Sequence, residues 1–114
     1  MTIENLLGQL KKIDEDYNVI IRKDNCIYPV NGFEDSTSIG IWGIRYWEMS
    51  CSKFPGIKVS DLIKLIPENL SEDAVMVTRG NCYPVYKIAN IYSDGVGSCV
   101  IEITDFKTDD WWED

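Results

Sequence analysis

The chain writes nearly the same word twice, NCIYPV at residues 25–30 and NCYPV at residues 81–85. How that recurrence is read decides the fold. With residue n set beside residue n+56, Leu6, Leu7 and Leu10 fall opposite Leu62, Ile63 and Ile66. Val19, Ile20 and Ile21 fall opposite Val75, Met76 and Val77, and Asn25-Cys26 opposite Asn81-Cys82. Ile27 is then one extra residue, after which Tyr28-Pro29-Val30 meets Tyr83-Pro84-Val85. The identical dipeptide, the identical tripeptide and the aligned apolar positions together predict a tandem duplication.

Working outward, each copy starts with a short helix. TIENLLGQLKKI at 2–13 places Ile3, Leu6, Leu7, Leu10 and Ile13 on one stripe at helical spacing, with Thr2 as N-cap and Glu4 near the positive end of the dipole. In the second copy Ser60 is the candidate cap before DLIKLI, and Pro67 ends the helix. Acidic turns follow, DED at 14–16 and SED at 71–73, and then the β-branched runs NVIIRK (18–23) and AVMVTR (74–79). Asp24-Asn25 and Gly80-Asn81 suit hairpin turns, since these residues tolerate left-handed backbone. A second strand leaves through Tyr-Pro-Val, with Pro29 and Pro84 expected at strand starts or edges because proline cannot donate to a ladder. Third strands are expected around 37–49 and at 97–104, the latter after the turn SDGVG at 93–97.

The predicted fold is therefore α+β, a tandem duplicated unit of one helix plus a three-stranded antiparallel meander. One such unit is too small to bury both its helix and its sheet face, so the two units share one core. The expected organisation is a first αβββ repeat at 1–51, a linker at 52–58 turning at Pro55-Gly56, a second repeat at 59–104, and an acidic aromatic tail at 105–114.

The second copy, LIKLIPENLSEDAVMVTRGNCYPVYKI at 62–88, resembles a loosely defined group of small proteins from bacteria and their phages. Members carry a leucine-rich helix, a motif like Pro…Asp-Ala-x-Val and a Tyr-Pro-hydrophobic strand. The first copy departs from that pattern, lacking the proline and reading Asp16-Tyr17-Asn18-Val19. The resemblance covers about half of the chain and is structural; it implies origin and fold and brings no catalytic residues with it.

Composition narrows the chemistry. Histidine is absent, which removes the usual general base near neutral pH, the Ser-His and Cys-His pairs and the commonest metal ligand. Cys26, Cys51, Cys82 and Cys99 include no Cys-x-x-Cys pair, so neither a zinc site nor any other metal or cofactor is expected. The two Asn-Cys pairs read as small core or turn residues, because an activated thiolate would need a cation or a helix N-terminus beside it. DED and SED lack the alternating spacers and bend glycine of a metal loop and read as solvated helix ends. Gly95-Val96-Gly97 is too short for a phosphate cradle and reads as a turn. No enzyme is expected.

The formal net charge is −8, from 11 basic and 19 acidic residues. Through Ile57 there are six basic and eight acidic residues; beyond it there are five and eleven, so the excess lies in the C-terminal half. That balance speaks against direct binding to a phosphate backbone and suits either plain solubility or a face that meets a basic partner. No apolar segment has the length of a signal or membrane span, so a cytoplasmic address and no membrane partner are expected.

Two aromatic stretches are candidate partner-binding sites. In GIWGIRYWEM at 40–49 strand alternation puts Ile41, Gly43, Arg45 and Trp47 on one face and Trp42, Ile44, Tyr46 and Glu48 on the other. Either a shared core covers both faces, or Trp42, Arg45, Tyr46 and Trp47 form an exposed patch of interface composition. The tail DFKTDDWWED flanks Trp111-Trp112 with Asp109, Asp110, Glu113 and Asp114, either folding back or docking into a basic, apolar-lined groove. These ten residues are the expected contacts of a binding protein, read as a phage or mobile-element inhibitor of a basic nucleic-acid-handling host protein, anti-CRISPR or another anti-defence type. The alternatives are a toxin-immunity protein, a small-molecule sponge and an accessory protein of a virion or other assembly.

Overall fold

The computed structural model describes residues 1–23, 25–35, 41–46, 55–79 and 82–103. Helix α1 spans Ile3–Leu10, followed by strands β1 (Asn18–Lys23), β2 (Cys26–Asp35) and β3 (Ile41–Tyr46). Helix α2 (Val59–Leu65) and a 3-10 turn at Glu68–Leu70 lead into β4 (Ala74–Arg79), β5 (Cys82–Tyr86), β6 (Ile88–Ser93) and β7 (Ser98–Ile103). Thr2 caps α1, its hydroxyl accepting from the Asn5 N–H at 3.2 Å. Ser60 does not cap α2; the helix begins one residue earlier behind Lys58, with no side-chain cap.

The strands form one sheet in the order β5-β4-β3-β2-β1-β7-β6. This corrects the expected fold of tandem αβββ meanders. The sheet is mixed, because β3 runs parallel to β4 and β1 parallel to β7. Moreover, the second half of the chain supplies four strands that separate to both ends of the sheet, so it builds no meander of its own. A parallel pair needs a long crossover, and the segment carrying α2 provides it between β3 and β4.

The sheet is also curled. Seven strands at the usual spacing of about 4.8 Å would lie about 29 Å apart edge to edge if flat. Yet the edge strands β5 and β6 are separated in the chain by Lys87 alone, and two Cα steps span at most about 7 Å. The two edges must therefore meet, which bends the sheet into a half-barrel with β5 and β6 as one bent strand. Strand β2 bends in the same manner: Cys26–Pro29 pair with β1, and after a bulge between Val30 and Gly32 the strand pairs with β3.

Inside the curl, Val19, Ile21, Val30, Ile44, Val75, Val77, Cys99 and Ile101 meet Ile3, Leu6, Leu7 and Leu10 of α1 and Val59 and Leu62 of α2. The helices seal the end where β1 and β4 start, through bonds that recur at the spacing noticed in the sequence. Val19 N–H donates to Ile57 O (2.8 Å), and Val75 N–H to Met1 O (2.9 Å). Val59 N–H donates to Tyr17 O and Ile3 N–H to Asp73 O, both at 2.9 Å; Ser60 N–H donates to Glu15 O (3.1 Å) and Glu4 N–H to Ser71 O (3.0 Å). What the 56-residue spacing marks in the structure is thus reciprocal docking, in which the start of each helix is fastened to the strand that follows the other helix. Gly56 makes one of these approaches possible: its φ is +100°, and a Cβ there would run into the Val19 carbonyl.

Candidate functional site

Along β3 the alternation is as read from the sequence, and the curl decides its consequence. Trp42, Ile44 and Tyr46 face inward, and Arg45 faces outward. Trp42 is half-buried, stacks on Phe33 with ring centroids 5.6 Å apart, and donates from Nε1 to Asp73 Oδ2 at 3.0 Å. Tyr46 is fully buried. Arg45 lies across Gly32, its Nε donating to Asn31 Oδ1 at 3.0 Å and an Nη within 3.4 Å of Glu34 Oε2. Trp42, Arg45 and Tyr46 are therefore not brought together into one exposed patch, because closing the curl puts one face of β3 into the core. Trp47 and the tail residues Asp109, Asp110, Trp111, Trp112, Glu113 and Asp114 lie outside the described residues.

The inner face does assemble a cluster at the end of the half-barrel opposite the helices. Strands β1, β3, β4 and β7 all run toward that end, since β1 is parallel to β7, β3 to β4, and both β1 and β3 are antiparallel to β2. Along β1 the inward positions pass from Val19 and Ile21 to Lys23, and along β3 they end at Tyr46. The Lys23 ammonium donates to the Tyr86 hydroxyl at 2.9 Å and sits 4.7 Å from the centre of that ring. The Tyr28 ring, across from Ile21, lies 5.2 Å from the Tyr46 ring. Among the described residues, one cation and three phenols thus gather at the end of the interior away from Trp42 and Phe33. A lysine held over a phenol places a cation against a ring face there. Sequence reading found Tyr46 of this group and missed Lys23, Tyr28 and Tyr86. Tyr28 belongs to the recurring word, and Lys23 stands at inward parity with Val19 and Ile21, so both signals were present.

No charged side chain is buried among the described residues, and the remaining acids are exposed or partly exposed. Asp14, Glu15 and Asp16 are exposed, as is Asp94 in the turn between β6 and β7. The Asn18 N–H donates to Gly97 O at 3.0 Å, which sets that turn beside the start of β1. The Asp94 carboxylate accepts from the Val96 and Ser98 N–H groups, both at 2.9 Å, and these bonds hold its pKa below the usual value. Val96 at the tip is 86% exposed between two glycines of positive φ. Cys99 is buried and burial pushes its thiol up to about 12, whereas Cys26 is exposed. Among the described residues no group of three or more His, Cys, Asp or Glu could hold a metal ion, and no helix is long and apolar enough to cross a membrane. Comparison of the chain with models of protein families, with curated proteins and with solved structures finds no match in any of the three.

Proposed function

We propose that the protein acts by binding a basic macromolecular partner, as an inhibitor of a nucleic-acid-handling host protein of the anti-defence type. The observation that carries this reading is a net charge of −8 with the described acids at the surface, so that the field reaches solvent rather than being spent on internal pairs. Of the ion pairs among the described residues, Lys11–Glu68 and Lys58–Asp16 are long and exposed and neutralise little. Complementary charge steers encounter and suppresses wrong partners, and aromatic anchors then slow dissociation. Trp111 and Trp112 with their flanking acids are the assigned anchors, joined by the acids at 14–16.

The test is retention of a basic protein from host lysate on the tagged chain at low and high salt. A basic nuclease or defence protein retained at low salt and released at high salt supports the reading. Retention that is indifferent both to salt and to neutralising Asp109, Asp110, Glu113 and Asp114 counts against it. A second reading, a binder of a small anionic molecule, is favoured by the Lys23–Tyr86 pair at the end of the half-barrel opposite the helices. Its test is a mass difference between native and denatured protein that disappears in Lys23→Met.

A further inference from the structure

We propose that the chain forms a dimer by exchanging halves, residues 1–46 of one copy closing against residues 55–103 of another. The two stretches are joined through residues 47–54. Among the described residues, what holds them together is strand pairing, backbone bonds and core packing, and it is reciprocal. Strand β3 pairs with β4, and β7 with β1, both in parallel. The start of α2 is fastened to β1 through Val19 and Tyr17, and the start of α1 to β4 through Val75 and Asp73, with bonds of 2.8 to 2.9 Å on both sides. Leu6 and Leu62, one from each helix, are fully buried in the same core.

Either stretch alone would present two unpaired strand edges above an apolar face, which water does not tolerate. Each is completed by the other, and the surface that completes it is identical whether it comes from the same chain or from a second copy. Exchange therefore conserves the pairings and the core contacts, the condition under which swapping costs least. Within one chain the joining segment gives a high effective concentration, so the closed monomer prevails at low protein concentration. Exchange is fixed when chains refold together at high concentration.

Two full-length variants test this, Leu6→Asp and Leu62→Asp, each placing a charge at a fully buried site in a different half. Refolded alone, each has lost its tertiary signal. Refolded together at high concentration, the first contributes an intact 55–103 and the second an intact 1–46, so one of the two closed units is wild type. The expected result is a dimer by light scattering with half the wild-type near-ultraviolet circular dichroism. A control pair, Leu6→Asp with Leu10→Asp, has both defects in the same half and recovers nothing. A complementary mixture no better folded than its components overturns the proposal, as does equal recovery in the control pair. The milder pair Leu6→Ala and Leu62→Ala gives the same reading if the charged variants precipitate: exchange adds an unfolding transition at the wild-type midpoint, and its absence overturns the proposal.

Discussion

The two ends of the half-barrel are built from the same strands to opposite standards. Where β1 and β4 start, the inward side chains Val19 and Val75 are at most 1% exposed, and backbone bonds from both helix starts close the end. Toward the other end, Lys23 at the finish of β1 and Tyr28, Tyr46 and Tyr86 of β2, β3 and β5 take over the inner face, and the contacts become phenol, ammonium and ring. Strand alternation alone selects a face; what caps that face decides whether the residue there is aliphatic or polar. The difference assigns tight aliphatic packing to the sealed end and hydrogen-bonded, ring-to-ring contacts to the other.

The sharpest way to break that contrast is to cut into each end in turn. Leu6→Ala and Leu62→Ala remove fully buried side chains at the sealed end, and each should cost about 2–5 kcal/mol by denaturant titration, with the slope m unchanged. Tyr86→Phe at the opposite end removes one hydroxyl and should cost about 1 kcal/mol. Equal losses at the two ends would abolish the distinction.

Cys99 makes the sealed end report on itself through pH. Burial raises its thiol from an ordinary value of 9.0 to about 12. A raised acid pKa in the folded state means that the unfolded chain releases the proton first. The contribution is fully present below about pH 9 and is lost as pH rises toward 12, with a slope of about 1.4 kcal/mol per pH unit. The Cys99→Val variant should lack that part of the alkaline decline, measured as the difference between the two stability profiles. In native protein at pH 8, peptide mapping should find Cys26 alkylated while Cys99 stays protected. Rapid labelling of both would show that the sealed end opens readily.

Much of this was legible. The runs NVIIRK and AVMVTR are strands with the bounds read from their β-branched residues, and Thr2 caps α1 as its hydroxyl and position suggest. The helical stripe Ile3, Leu6, Leu7 and Leu10 is the buried face of α1. What sequence did not convey is pairing. Nothing local in AVMVTR says that its neighbour is β3 in parallel, because side-chain period is the same in parallel and antiparallel ladders. Strand β6 was missed for a related reason: IANIYS follows β5 after Lys87 with no turn residue between, so one bent strand that changes partners carries no punctuation. On β3 the alternation was legible too, but which of the two offered outcomes holds for Tyr46, core or exposed patch, depends on the curl, which is a property of the whole sheet and buries it.

At the end opposite the helices, the Lys23–Tyr86 contact tests whether the cluster is a unit. Lys23→Met and Tyr86→Phe, alone and together, should show a coupling of about 0.5–1 kcal/mol, since each removes one partner of the same hydrogen bond while phenylalanine keeps the ring. Additive losses would mean that the two side chains are neighbours without mutual dependence, and the second functional reading would lose its fixed cation.

The smallest effect belongs to the turn between β6 and β7, which feeds the strand lying against β1. The Asp94 carboxylate accepts from two backbone N–H groups, and the Ser93 hydroxyl accepts from a third, that of Gly95. These bonds favour the charged form, so the carboxyl titrates below its ordinary value of 3.8. The depressed pKa gives stability that is fully present above that value and is lost as pH falls through the folded one, because the unfolded chain takes up the proton first. Asp94→Asn keeps an acceptor oxygen but not its charge. It should therefore lower stability slightly at pH 7, and the difference should shrink as pH falls and the wild-type carboxyl takes up its proton. A difference that does not change with pH would place the role of Asp94 in turn geometry alone, and the sealed end would then owe nothing to the charge beside it.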